Sequence, residues 1–163
     1  MTVKVTKDNL PALLKAVKQL TSKETLIGIP AENAGRNDGS PVNNAEIGYI
    51  QEFGSPEQNI PARPFLVPGV QGALPQITAR MKVGGTKALS GDMDAADKTL
   101  NAVGLIGQNA VRAKINEGIP PALSPRTLAD RRARGRTGEK PLVDTGALRN
   151  SVTYVVRGPG KGK

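Results

Sequence analysis

The sequence predicts an α+β domain in which a small antiparallel sheet packs against two or more helices. Apolar residues recur at three- and four-residue steps within residues 10–20 and 100–113, as they do in amphipathic helices. Two short β-prone runs, residues 25–29 and 151–156, lie near the two ends of the chain. Long loops take up many of the 19 Gly and 13 Pro, and the length of 163 residues is that of one domain. We therefore expect a single domain over residues 1–156, with mobile loops and a flexible basic tail over residues 157–163.

The first predicted helix has an apolar stripe and a choice of two residues for its cap. The stripe consists of Leu10, Leu13, Leu14, Val17 and Leu20. Asp8 or Asn9 can cap the first turn through a side-chain oxygen. Residues 25–29 follow as a strand that Pro30 closes. Residues 31–42 are rich in Asn, Gly and Ser and are expected to form an exposed, mobile loop.

A short second helix is predicted from a cap at Asn43 or Asn44 to a stop at Gly54. Tyr49 and Phe53 are spaced by four on this helix, so their rings are expected to pack inward. The chain has only two Tyr, two Phe and no Trp, which makes each ring important for packing.

Prolines dominate the next segment. Residues 55–64 contain Pro56, Pro61 and Pro64, and each proline removes a hydrogen-bond donor and favours extended geometry before it, so we expect an extended, stiff segment. The following helix has only a weak apolar stripe. Pro75 and the pair Gly84–Gly85 are expected to interrupt it.

A long central helix is predicted between an acidic entry at Asp92 and Asp94 and a stop at Gly118. Its small residues would let another element approach closely, most simply within one subunit. Ser124 followed by Pro125 then predicts the start of a short basic helix.

After a polar loop, regular secondary structure is expected to resume at about residue 144. Asp144 and Thr145 are expected to cap a brief helical turn that Leu148 anchors. Residues 151–156 are predicted to form the final strand.

Catalytic and metal-binding residue types are scarce. The absence of Cys and His excludes thiol nucleophiles, imidazole bases and Cys/His metal sites. Glu46 and Glu52 point in different directions on a helix and are expected to be solvated or capping residues. Asp144 belongs to a single Asp-Thr-Gly sequence, whereas an aspartic protease needs two. We expect no enzyme activity, no cofactor and no metal.

Positive charge is concentrated in the C-terminal third. The formal net charge is +9, and residues 112–163 hold 12 Lys and Arg against 4 Asp and Glu. Arg131, Arg132, Arg134 and Arg136 are expected to contact DNA or an acidic partner. No aromatic residues interleave them, so any DNA contact would be non-specific. The sequence has no apolar run long enough to span a membrane, and we expect a protein made in the cytoplasm.

Three motifs stand in a fixed order along the chain: Glu52-Phe53-Gly54 leading to residues 60–66 (IPARPFL), residues 122–128 (ALSPRTL), and residues 141–151 (PLVDTGALRNS). They cover about a quarter of the chain. Together they closely resemble the tail-completion or neck proteins of long-tailed double-stranded DNA bacteriophages. This resemblance implies a small α+β virion subunit, assembled in the host cytoplasm, that forms part of a ring at the head-to-tail junction and completes the tail for joining to the capsid.

The resemblance carries motif positions rather than catalytic residues. Those positions are Tyr49, Glu52, Phe53, Gly54, Pro61, Arg63, Pro64, Phe65, Asp144, Thr145, Gly146, Leu148 and Arg149. The implied partners are further copies of the chain in a homo-oligomeric ring, adjacent neck and tail proteins, and phage DNA in the lumen, with no membrane. Six-fold symmetry is favoured and twelve-fold stays open. Residues 45–66 are expected to be partly core and partly subunit contact. A non-specific DNA-binding accessory protein is the alternative.

Overall fold

The computed structural model describes residues 10–36 and 41–158. Its helices are α1 Leu10–Thr21, α2 Asn44–Phe53, α3 Leu66–Leu89, α4 Ala95–Glu117, α5 Pro125–Ala133 and α6 Ala147–Ser151. The strands are β1 Glu24–Gly28 and β2 Thr153–Arg157, and two 3-10 turns occupy Ala31–Asn33 and Pro56–Gln58. The predicted α+β class, with an antiparallel sheet against helices, is confirmed. No helix in the described ranges is long and apolar enough to cross a membrane.

The two strands come from opposite ends of the described chain and pair antiparallel, with Ile27 opposite Tyr154. The sheet packs on α4 because α4 presents glycines there. A Cβ added at Gly104 would lie 2.1 Å from the Tyr154 ring, and one added at Gly107 would lie 2.1 Å from Ile27. The small residues of the central helix therefore serve packing within the subunit.

Helices α3 and α4 form a long antiparallel hairpin. The expected interruption of α3 is wrong, because the helix runs unbroken for 24 residues through Pro75 and both glycines. Gly84 is buried, and a Cβ added to it would lie 1.8 Å from Thr99 Oγ1 on α4. Gly84, the first of the two glycines, thus allows α3 and α4 to pack closely. At 1.5 Å per residue, α3 is about 36 Å long.

The core lies where the start of α3, the end of α4 and the C-terminal motif meet. It consists of Phe65, Val111, Ile115, Ile119, Leu148 and Val152. Phe65 is the largest side chain that is almost fully buried. The anchoring role predicted for Leu148 is confirmed.

Helix α1 is confirmed, but its apolar stripe faces solvent. Leu10 and Leu14 are 58% and 60% exposed, and the buried residue of the helix is Ala16. The predicted caps Asp8 and Asn9 lie outside the described residues. Part of the expected loop over residues 31–42 also lies outside them, and the described part begins with the Ala31–Asn33 turn.

Helix α2 has the predicted cap and a different buried face from the one predicted. Asn43 and Glu46 form a reciprocal capping box. The residues that α2 buries are Asn44, Gly48 and Glu52. Tyr49 and Phe53 are 67% and 64% exposed, so the prediction that their rings pack inward is wrong. Gly48 is in close contact with Ile29, and this contact turns the neighbouring rings outward.

Two boundaries also differ from the predictions. Pro56 begins a 3-10 turn, so this part of the proline segment is not extended, and an isolated bridge joins Ser55 to Ile60. At the C-terminus, Ser151 ends α6 and Arg157 lies in β2. The structured domain therefore reaches at least one residue further than residue 156.

Candidate functional site

The three sequence motifs converge around one cleft, which we call the motif cleft. Its volume is about 450 Å³. The first motif contributes Ile60, Pro61 and Arg63 to the lining. The other two contribute Ala122, Leu123, Ser124, Thr127, Leu142, Asp144, Thr145, Gly146, Ala147 and Leu148. Motif residues as far apart in the sequence as Ile60 and Leu148 thus build one surface feature.

The buried carboxylate of Glu52 holds together the two parts of the first motif. The residue is 8% exposed, and its carboxylate accepts hydrogen bonds from the backbone N–H groups of Phe65 at 2.7 Å, Leu66 at 2.8 Å and Val67 at 3.0 Å. These are unsatisfied donors at the start of α3, where the helix dipole favours negative charge. Glu52 therefore caps a helix that begins 14 residues later. Of the two roles expected for it, solvated or capping, the structure shows the capping one.

Arg63 ties the first motif to the second. Its Nε donates to the carbonyl of Pro121 at 2.9 Å and its Nη2 donates to the carbonyl of Ala122 at 3.2 Å. Arg63 is buried, whereas Pro61 and Pro64 in the same segment are exposed. Burial lowers the pKa of Arg63 below its ordinary value, because desolvation disfavours the charged guanidinium.

Arg131 organises the loop before the third motif. It is 8% exposed, and its Nη1 donates to the carbonyls of Gly138, Lys140 and Val143 at 2.8–3.1 Å. These bonds satisfy the inward carbonyls of the polar loop and leave little of Arg131 exposed to DNA or to another protein. The partner contact expected at Arg131 stays a prediction, which this burial disfavours.

Asp144 has a different role from the predicted helix cap. Its carboxylate pairs with Arg136 at 2.5 Å and lies 3.7 Å from Arg131. The N-cap position of α6 is held by Gly146, and no side chain caps it. Thr145 Oγ1 accepts from the N–H of Ala147 at 3.3 Å, which is the nearest equivalent. The prediction of a cap at Asp144 is wrong, because the neighbouring arginines attract its carboxylate.

The remaining arginines of the basic cluster differ in availability. Arg132 pairs with Glu139 at 3.0 Å and Arg136 pairs with Asp144. Arg134 is exposed and makes no side-chain hydrogen bond or ion pair to the described residues. Arg149, in the third motif, is half-buried and donates to Asn150 at 3.3 Å. Fewer arginines of the cluster are therefore available to an outside partner than their number in the sequence suggests.

An aromatic pair lies on the surface beside the first motif. The rings of Tyr49 and Phe53 are 4.9 Å apart between centroids and tilted by 50°. Such tilted pairs are a favourable aromatic geometry. Because the rings contact each other and are mostly exposed, they form a ready-made apolar surface on α2.

The described residues contain no group of three or more Cys, His, Asp or Glu that could hold a metal ion. The charged motif residues Glu52 and Arg63, and Arg131 before the third motif, bind backbone groups, so their role is structural. Sequence reasoning did not find the roles of Arg63 and Arg131. The only signal was their position beside proline and glycine segments, whose exposed carbonyls need donors.

Comparison of the chain with protein-family models, with curated proteins and with solved structures found no match.

Proposed function

We propose that the protein is a structural subunit of a bacteriophage neck or tail, which forms part of a ring at the head-to-tail junction and completes the tail for joining to the capsid. The observation that carries this proposal is the use of the motif residues. Glu52 and Arg63 in the first motif, and Arg131 just before the third, each bind backbone groups and hold the three motifs around one cleft. Charged side chains that hold backbone segments in place, and so fix the shape of a surface, suit an assembly protein. The order of the motifs also resembles that of the phage family.

The exposed aromatic pair supports a subunit contact within residues 45–66. Tyr and Phe are enriched in the buried centres of protein interfaces. Tyr49 and Phe53 are about two-thirds exposed in the single chain, although the chain has only four aromatic residues. A contact that covers them would bury a large apolar area for little loss of side-chain entropy.

Non-specific DNA binding stays the alternative. The exposed Arg126 and Arg134 favour it, since a phosphate backbone attracts accessible guanidinium groups. The internal pairing of Arg131, Arg132 and Arg136 weakens it. In the ring proposal, the same two exposed arginines face the DNA in the lumen or an acidic neighbouring protein.

The proposal is tested with a double variant that removes the aromatic pair, Tyr49→Ser with Phe53→Ser. Light scattering after size exclusion and electron microscopy should show rings for the unaltered protein and monomers for the double variant, with unchanged circular dichroism. Leu105→Ser is the matched control, because Leu105 is 50% exposed on α4 and lies outside the motifs. It should assemble normally.

The possible outcomes distinguish the ring proposal from the DNA-binding alternative. Rings that form equally well in the double variant would remove the aromatic pair from the interface. A protein that forms no ring, alone or with phage tails, and that binds duplex DNA in a salt-sensitive manner would support the DNA-binding alternative instead.

A further inference from the structure

Arg63 carries a charge that no described carboxylate neutralises. The residue is 6% exposed, yet its two side-chain hydrogen bonds go to neutral carbonyls. None of the ion pairs within 4.0 Å among the described residues includes it. A buried cation without a counter-charge is costly. Such a side chain at the wall of a cleft is a site for an anion from outside the chain.

The guanidinium is open on the side of the motif cleft. Its Nη1 makes no hydrogen bond. In the described ranges, every fully buried side-chain nitrogen and oxygen has a hydrogen-bond partner, so Nη1 is not one of the fully buried atoms. Nη1 is therefore accessible to solvent, and the cleft is the cavity that Arg63 lines. Ile60 and Leu142 line the same cleft. The motif cleft thus combines an unpaired cation with apolar wall, which suits a peptide segment that carries a carboxylate beside an apolar side chain.

The opposite end of the α3–α4 hairpin offers such a segment. We call residues 90–94, the turn between the two helices, the hairpin tip. Asp92, Met93 and Asp94 are exposed there, and Met93 is 41% exposed. Asp94 pairs with Lys98 at 3.4 Å. Asp92 accepts the N–H of Asp94 at 3.1 Å and pairs with no described cation, so its charge is available.

The two surfaces lie at opposite ends of the subunit. The motif cleft is at the start of α3, next to Phe65, and the hairpin tip follows the end of α3, about 36 Å away along the helix. A ring needs two different, complementary surfaces on each subunit, because its contacts are heterologous. An unpaired cation at one end and an unpaired carboxylate at the other provide this complementarity.

We propose that the hairpin tip of one copy binds in the motif cleft of the next copy, with the Asp92 carboxylate on Arg63 and Met93 on the apolar wall. The inference rests on the proposed function only in requiring contact between copies. A peptide carboxylate fits better than a DNA phosphate, because Arg63 is only 6% exposed and lines a partly apolar cleft, where it is poorly placed for a duplex backbone.

The chain contains no Cys, so engineered disulfides can test this contact without background. The variant Ser90→Cys with Ala122→Cys places one thiol on the tip, with Asp92 left intact, and one on the exposed rim of the cleft. A disulfide needs Cα atoms within about 7 Å, so the two thiols of one copy cannot join across the length of the hairpin. Mild oxidation should therefore give a ladder of covalent oligomers on non-reducing gels.

The matched control is Ser90→Cys with Thr78→Cys, since Thr78 is exposed in the middle of α3. It should give dimers at most, as should each single cysteine. A ladder that exceeds the control supports the inference. If no such ladder forms, the inference is overturned whether or not the protein assembles. If the unaltered protein still forms rings in that case, the proposed function stands without this contact. Cross-linking that a short duplex DNA prevents would assign the anion site to phosphate and would also overturn the inference.

The charge requirement is tested separately. Asp92→Asn should weaken self-association by about 30-fold or more, because it leaves Arg63 buried and unpaired at the contact. Asp94→Asn, whose carboxylate already pairs with Lys98, should weaken it by less than about fivefold. Equal effects of the two changes would contradict the pairing of Asp92 with Arg63. Both positions are exposed, so neither change should affect folding.

Discussion

Removal of the Glu52 carboxylate should destabilise the fold strongly, because three backbone donors depend on it. In Glu52→Ala the N–H groups of Phe65, Leu66 and Val67 lose their acceptor. The Phe65 bond is buried, so water cannot easily replace it. Loss of an ordinary N-cap costs about 1 kcal/mol, and an unsatisfied buried donor costs about 1–3 kcal/mol more.

These contributions give a loss of about 3 kcal/mol in the free energy of unfolding, since water will hydrate part of the exposed helix start. For a chain of this size the loss corresponds to a fall in Tm of roughly 6–12 °C. Glu52→Gln should lose about half as much, because one oxygen remains to accept while the new amide group opposes an N–H donor.

Urea unfolding followed by circular dichroism measures these differences. Glu57→Ala is the matched control, because Glu57 is exposed in the neighbouring loop and its side chain has no described partner. It should change the free energy of unfolding by less than about 0.5 kcal/mol. If Glu52→Ala were no more destabilising than Glu57→Ala, the capping role and the account of the first motif would both be refuted.

Two further stability predictions use matched pairs. Gly84→Ala should destabilise by about 1–3 kcal/mol because its Cβ would overlap Thr99, whereas Gly85→Ala, with open space around it, should stabilise by about 0.5–1 kcal/mol; thermal melts that fail to separate the two would contradict the close packing of α3 on α4. Arg131→Ala should cost about 2–4 kcal/mol because three loop carbonyls lose their donor, while Arg134→Ala should cost less than about 0.5 kcal/mol. Faster hydrogen exchange in residues 138–143 of Arg131→Ala would localise the effect, and equal melting of the two variants would count against it.

Local patterns in the sequence were sufficient for most secondary-structure elements. The spacing of apolar residues predicted α1 and α4, the Asn43 and Ser124 caps predicted the starts of α2 and α5, and the β-prone runs predicted both strands to within two residues. These features depend on neighbours within one or two turns of the chain. A sequence shows such neighbours directly.

The sequence could not predict which side chains meet across long distances. Periodicity placed Tyr49 and Phe53 on one side of α2, but the contacts of Gly48 and Glu52 turned the other side inward. The arginines were visible as positive charge, yet the carbonyls that occupy Arg63 and Arg131 belong to loops whose folded path decides the pairing.

The sequence by itself determined an α+β chain with the caps of α2 and α5, its two strands and three ordered motifs, because each depends on local backbone and side-chain preferences. Tertiary structure alone decided that the motifs surround one cleft, that Glu52 caps a distant helix and that Arg63 keeps an unpaired charge. The physical reason is that burial and hydrogen-bond partners are properties of the packed chain. They are set by which segments come together, and not by the residues of any one segment.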